Sequence, residues 1–427
     1  MDRRTVALIA VLGLPTLAAA QGYEPPPTVK ASAALEPALL KGAHHQVAEP
    51  VDATTYYLGF KITSDYGEME AMGRSLLLTR LQEVQALAEL EDVSKSDVFL
   101  SAAGNSVINV GKGVAGVVTK PGETVKGVGA GVKRFGTNLG RKGKRGAESA
   151  ADAVSGDEKP ASGAPPTEPA KSTTEKAEDA ATSALAGKSF RRWAQKLGVD
   201  PYTSNAVLRT ALTDIAKIDA AGGIAAKVVV PIPMVVSTTA TVNNLVWGKD
   251  PEELLKINEQ RLTELGVSKE VQSRFFKNKR FSPSAETRLI AALHAVKAKG
   301  CDDYVDAASE AQQEREALFF VESAEMLQAF HAQNPVTEIL RDSRALVAKS
   351  AAGATVLVAV DQVFWSEAFA KAAAEVDGRA RKELGASAVS LRIPGKVSAR
   401  ARKELEAMKW KVEELPPPAP AAKAKSS

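Results

Sequence analysis

One cysteine in 427 residues, Cys301, leaves the chain no means of closing an internal disulfide. A small core stapled by bridges is therefore excluded, even in a compartment that permits them. Cys301 follows Gly300, a helix stop, and reads as a buried, inert thiol. Histidine is nearly as scarce. His44 and His45 are adjacent near the start, while His294 and His331 fall on separate predicted helices. None has a partner at metal-ligand spacing and no H-E-x-x-H occurs, so neither a metal nor another cofactor is expected. The chain also lacks G-x-S-x-G and S-x-x-K, which removes two kinds of serine nucleophile. Aromatics are 5% of the chain, and 55 Lys+Arg stand against 51 Asp+Glu, so nothing overall calls for a nucleic-acid partner.

What is present begins with an export signal. Arg3 and Arg4 form a positive n-region, and Val6 to Leu14 is an apolar run far short of the about 20 residues that span a bilayer. Ala18-Ala19-Ala20 supplies the small residues a signal peptidase needs. A Sec signal peptide over 1–20, cut before Gln21, is expected. With no cysteine at the cut, lipoprotein processing is excluded. The mature chain is expected in the periplasm or outside the cell.

Composition and periodicity divide the rest. Residues 21–50 are rich in Pro and Ala and read as a flexible leader. Over 51–147 the expected unit is a β-hairpin with a helix laid on it, followed by a glycine-rich basic segment. Tyr56, Leu58, Phe60 and Ile62 alternate as one strand, Ser64 to Gly67 turns, Glu68 to Met72 returns, and Ser75 to Leu90 is helical. Residues 148–188, rich in Ala, Pro, Ser, Thr and Glu, are expected to be a disordered linker. Residues 189–345 read as a mostly helical domain. Its helices start at Asp250-Pro251, Ser268 and Ser282-Pro283, and one long helix runs from Asp302 to Gln333. Within it, Ala220 to Trp247 is unusually apolar, but Lys227, Pro231 and Pro233 interrupt it. Residues 346–415 read as a small α/β unit: strands at Ala354–Val360, Ala388–Ile393 and Trp410–Glu414, joined by helices after Ser366 and Ser398, predict a parallel three-stranded sheet. The tail, 416–427, reads as disordered. The expected fold class is α+β with several domains.

Two phosphate-loop lookalikes fail on context. Gly111 to Gly116 matches G-x-G-x-x-G, but Pro121 would interrupt the helix that must open there, and no second strand follows. Gly187-Lys188-Ser189 imitates a P-loop end, yet the upstream glycine position holds Thr182. No nucleotide partner is expected. Asp361 falls at the carboxyl end of the first buried strand, where open α/β sheets bind ligands. With Arg392, Lys396 and Arg400 around the last helix start, it forms a candidate ligand or anion site. Turn capping and a solvated basic face are the plainer roles for these residues.

Gly104 to Gly146 holds twelve glycines and nine Lys/Arg against Glu123 alone. Val128, Val132, Phe135 and Leu139 recur at three- and four-residue steps, giving one apolar stripe. Lys112, Lys120, Lys126, Lys133, Arg134, Arg141 and Lys142 supply the charge, and with Phe135 they are the candidate membrane or anion contacts. Glycine at 129, 136 and 140 weakens a helix by about 1 kcal/mol each, so such a helix forms best on a surface. Anionic headgroups offer roughly 1 kcal/mol per nearby basic residue. The same stretch also fits a packed helical hairpin or a flexible basic arm. Gly111 to Pro121, G-K-G-V-A-G-V-V-T-K-P, resembles the glycine-patterned repeats near the C-termini of chorein-type lipid-transfer proteins, a likeness extending at most to about residue 140. The resemblance implies membrane association. It does not imply lipid transfer, because the long repeat-built groove of that family is missing.

The expectation is thus an exported, non-enzymatic envelope protein that meets an anionic membrane surface or an envelope protein partner. The alternative is an enzyme or small-ligand-binding protein with its site at the carboxyl edge of the C-terminal sheet.

Overall fold

The computed structural model describes residues 22–96, 187–222 and 240–417. The expected signal peptide, the glycine-rich segment with all eight of its candidate contacts, 148–186 of the expected linker, 223–239 of the apolar stretch and the tail from 418 lie outside the described residues. The described residues are mixed α/β and divide into two units. The first contains 22–85, 240–243 and 255–417, and the second 86–96, 187–222 and 244–254.

Residues 22–50, expected as part of a flexible leader, instead carry short regular elements. These are β1 (Val29–Lys30), α1 (Ala31–Ala34), α2 (Pro37–Leu40) and β2 (His45–Val47), with β3 (Pro50–Val51) closing on β1. Ala31, Leu35 and Leu39, four residues apart, are buried with Phe60, Ile62, Leu77 and Leu81. Elements this short show no sequence period, yet a few apolar side chains suffice to dock them. The hairpin follows as β4 (Gly59–Ser64) and β5 (Gly67–Met72), antiparallel, with β2 on the other side of β4. The first strand starts later than its alternation predicts. Tyr56 to Leu58 leave the ladder because the Tyr56 carbonyl accepts the N–H groups of Asp361 and Gln362, at 3.0 and 3.1 Å. Helix α3 (Arg74–Ser94) begins directly after Gly73.

Next come α4 (Pro251–Glu264), α5 (Lys269–Lys277), α6 (Pro283–Val296), α7 (Cys301–Ser309) and α8 (Glu314–His331). Ser268 and Ser282 cap α5 and α6 through their side chains, accepting from Val271 N–H and Ala285 N–H. The single long helix expected over 302–333 is two, α7 and α8. Asn278 Nδ2 donates to both Ser309 O and Ala311 O at 2.9 Å, satisfying carbonyls that the break would otherwise orphan. The break lets Tyr304 meet Phe320 edge-on, ring centroids 5.3 Å apart, inside the main core.

The last sheet has five strands in the order β12-β10-β8-β7-β6. Strands β8 (Gly353–Leu357), β10 (Val389–Ile393) and β12 (Trp410–Glu414) pair in parallel. The expected three strands are extended by β7 (Leu346–Ser350) and β6 (Glu338–Ile339), both in antiparallel pairing. Crossover helices α9 (Glu367–Glu383) and α10 (Ala399–Ala407) link the parallel strands, with Ser366 and Ser398 as their N-caps. Phe369, Ala372, Ala373, Val376 and Ala380 form the buried stripe of α9. Beyond the sheet, β9 (Gln362–Val363) and β11 (Lys396–Val397) make a short parallel pair.

In the second unit Trp193, Leu197, Leu208, Leu212 and Ile215 are fully buried. Trp247 Nε1 donates to Val199 O at 3.0 Å, and Arg192 pairs with the buried Asp219. No described helix is long and apolar enough to cross a membrane.

Candidate functional site

The residues that follow all three parallel strands converge on one cavity of about 190 Å³ in the first unit. Ala359, Val360 and Asp361 come after β8, Pro394 to Lys396 after β10, and Leu415 and Pro417 after β12. This is the edge at which parallel sheets expose main-chain groups and leave room between diverging loops. The rest of the wall comes from distant sequence. Ala33 to Glu36 belong to the N-terminal segment, Tyr57, Leu58 and Phe60 to the start of the hairpin, Arg74 and Ser75 to the first turn of α3, and Arg315 and Glu322 to α8.

Asp361 organises the junction. Its carboxylate accepts Leu58 N–H at 2.9 Å and Arg74 N–H at 3.1 and 3.2 Å. An α-helix leaves its first N–H groups without intrahelical partners, so Asp361 acts as an N-cap supplied from the far end of the chain. Burial pushes this carboxyl above its ordinary value, against the pull of the two N–H donors and of Arg315. Gly395 permits the close approach on the other side. A Cβ there would lie 2.1 Å from the Asp361 carbonyl carbon, while Lys396 N–H donates to that carbonyl's oxygen at 2.9 Å.

Arg315 and Glu322 stand seven residues apart, hence on one face of α8, and form an ion pair. Ser75 bridges them, accepting from Arg315 Nη1 at 3.2 Å and donating to Glu322 Oε1 at 2.7 Å. The Arg315 guanidinium lies over the Tyr57 ring, 4.5 Å from its centroid. Tyr57 Oη and Arg315 Nε are both buried, and no hydrogen bond of good geometry reaches either atom. Burial pushes the Tyr57 phenol up, with Arg315 pulling it down. Burial opposes the charge of Arg315, but Glu322, Tyr57 and Asp361 outweigh it and hold the guanidinium protonated. At the rim, Glu36 takes Arg74 in a two-point contact of 2.9 and 2.7 Å, and that hydrogen bonding holds its carboxyl below the usual range.

Of the candidates nominated from sequence, Asp361 and Lys396 meet at this cavity. Arg392 and Arg400 are elsewhere. Arg392 donates to Glu413 at 2.7 Å and lies over the Phe330 ring, and Arg400 approaches Glu404 at 3.8 Å. Lys396 itself is paired with Glu414 at 3.1 Å and largely exposed. Tyr57, Arg74, Ser75, Arg315 and Glu322 went unnominated. The one signal available was on α8, where Arg315, Phe319 and Glu322 share a face at i, i+4, i+7, placing two charges on an otherwise buried stripe. Among the described residues no group of three His, Cys, Asp or Glu is placed to hold a metal ion. Compared with protein-family models, curated proteins and solved structures, the chain matches none.

Proposed function

We propose that this is an exported small-molecule-binding protein whose site is the cavity beyond β8, β10 and β12. One observation carries the reading: loops after all three parallel strands enclose a cavity whose wall includes the buried Tyr57 and Arg315, interlocked with the partly buried Glu322. Buried polar side chains are normally satisfied, and unpartnered ones beside a cavity are a mark of a functional site. In this reading the parallel strands of the C-terminal α/β region form the ligand-bearing layer, and the N-terminal segment serves as its outer wall. The test uses the mature chain from Gln21, screened against a small-molecule library by ligand-observed NMR, beside Ala33→Trp. Ala33 is an exposed residue at the cavity, so tryptophan there fills the opening without removing a core contact. Ligands that bind the parent and are lost in Ala33→Trp, at equal melting temperature, support the reading. A library with no such compound ends it.

A second reading concerns the segment Gly104 to Gly146, supported by nine basic residues against one acidic. Here Lys112, Lys120, Lys126, Lys133, Arg134, Phe135, Arg141 and Lys142 contact anionic headgroups or an acidic envelope partner from outside the cytoplasm. Flotation with anionic liposomes tests it: the mature protein rises with the vesicles, and a chain lacking 104–146 does not. A parent protein that stays at the bottom eliminates the membrane.

A further inference from the structure

The wall of the cavity is electrically closed. Arg74 is matched by Glu36, Arg315 by Glu322 and Lys396 by Glu414, while the Asp361 carboxylate is occupied by the N–H groups of Leu58 and Arg74. A ligand with net charge would enter as an unmatched ion, paying desolvation with no free counter-charge to meet it. This argues against the anion that the basic residues alone suggest. Donors and acceptors stand together in two sets on the polar wall, the Glu36 carboxylate with the Arg74 guanidinium, and the Ser75 hydroxyl with the Glu322 carboxylate and the Arg315 guanidinium. A hydroxyl gives and takes a hydrogen bond at one atom, so a ligand bearing several hydroxyls suits such a wall better than one offering acceptors only. Other parts of the wall are apolar, with Ala33, Leu35, Phe60 and Leu415, and suit the C–H groups of a ring. The cavity, about 190 Å³, is smaller than the roughly 300–1,000 Å³ of pockets that hold drug-sized ligands, so it suits a compact ligand on the scale of one ring.

We propose that the cavity takes an uncharged polyhydroxy compound of monosaccharide size, either free or as the end of a glycan. The proposal rests on the ligand-binding reading above and narrows it. The mature full-length chain is titrated with glucose, N-acetylglucosamine, their β-linked disaccharides, glucuronate and inorganic phosphate, observed by saturation-transfer NMR and calorimetry. Glucuronate is the sharpest probe, because it keeps the glucose ring and adds one carboxylate. A neutral sugar is expected to bind, glucuronate at least about tenfold more weakly, and phosphate not at all, with Ala33→Trp abolishing the signal. Ser75→Ala should weaken the sugar several-fold without unfolding the protein. Binding by a monosaccharide indicates a free sugar, and binding by a disaccharide alone indicates a glycan end. Glucuronate or phosphate binding as tightly as the neutral sugars overturns the ligand class. So does a panel in which no neutral sugar binds. If library compounds still bind in a manner sensitive to Ala33→Trp, only the ligand class has failed; if nothing binds, both readings have.

Discussion

Asp361 holds Arg74 through the main chain and not through charge. The carboxylate accepts the Arg74 N–H, while the Arg74 guanidinium turns away to Glu36 at 2.7 Å. One arginine thus meets two carboxylates through two different groups, and the two carboxyls are shifted in opposite directions.

That opposition predicts two pH profiles of opposite sign. The folded state lowers the Glu36 carboxyl, so its contribution is present above the ordinary carboxylate range, about pH 4, and fades as pH falls through the lowered value. The folded state raises the Asp361 carboxyl, so its titration favours the fold below the ordinary range and loses that contribution as pH rises through the raised value. In urea unfolding, Glu36→Gln should trail the parent by under about 1 kcal/mol near neutrality, because Glu36 is half-exposed, and the gap should close in acid. Asp361→Ala deprives two N–H groups of their acceptor and should cost about 1–3 kcal/mol. Its gap to the parent should widen as pH falls. Parallel profiles would refute the assignment.

Two glycines offer a matched pair. At Gly395 an added Cβ meets main chain at 2.1 Å, and backbone cannot step aside as a flexible side chain can. Gly395→Ala should therefore be severely destabilising or fail to fold. Gly378, exposed within α9, has open space around the same atom. Gly378→Ala should stabilise by about 0.5–1 kcal/mol, through helix propensity. Thermal melting of both variants decides it.

Glu24 clamps the beginning of the described chain. Its Oε2 accepts Trp365 N–H at 2.6 Å and Ser398 Oγ–H at 2.5 Å, and its N–H donates to Trp365 O at 2.9 Å. Glu24→Ala should cost about 1–2 kcal/mol and speed hydrogen exchange at the Trp365 amide. Glu24→Gln, which keeps an oxygen acceptor, should cost less. Unchanged exchange at Trp365 would show that the clamp contributes nothing.

Cys301 is buried, and that burial pushes its thiol up to about 12. Only the thiolate alkylates readily. Iodoacetamide should leave the native protein unmodified near neutrality and label it fully once guanidinium unfolds it, which mass spectrometry reads directly.

Local features were legible in the sequence because they are encoded locally. Ser268, Ser282, Ser366 and Ser398 each announce a helix start by their side-chain chemistry, and each is an N-cap in the structure. Trp410 to Glu414 occupies the strand position expected of it. The breaks in regular structure were hidden where tertiary partners make them: Asn278 ends α7 from outside that helix, and Tyr56 leaves its strand for a partner 305 or more residues away. The cavity was half legible. Asp361 could be nominated from its place after a buried strand, but Leu58, 303 residues distant, and Arg74, 287 distant, carry nothing local that points to it. The five-stranded sheet was cut short because Glu338–Ile339 is only a two-residue edge strand, and Leu346–Ser350 joins by an antiparallel hairpin to β8 and not by the helix crossover that marks the parallel strands.

The N-terminal segment finds its hydrogen-bond partners at positions 361, 365 and 398, and this sets an order of events during biogenesis. A polypeptide synthesised from its N-terminus delivers Glu24 and Leu58 several hundred residues before the groups that will receive them. The earliest residues must therefore stay uncommitted until the last strands have been made, so the first unit completes only late in synthesis or after it. During that wait Leu35, Leu39 and Phe60 can already pack with Leu77 and Leu81, while Tyr57, whose core partners all come from residue 262 onward, stays exposed.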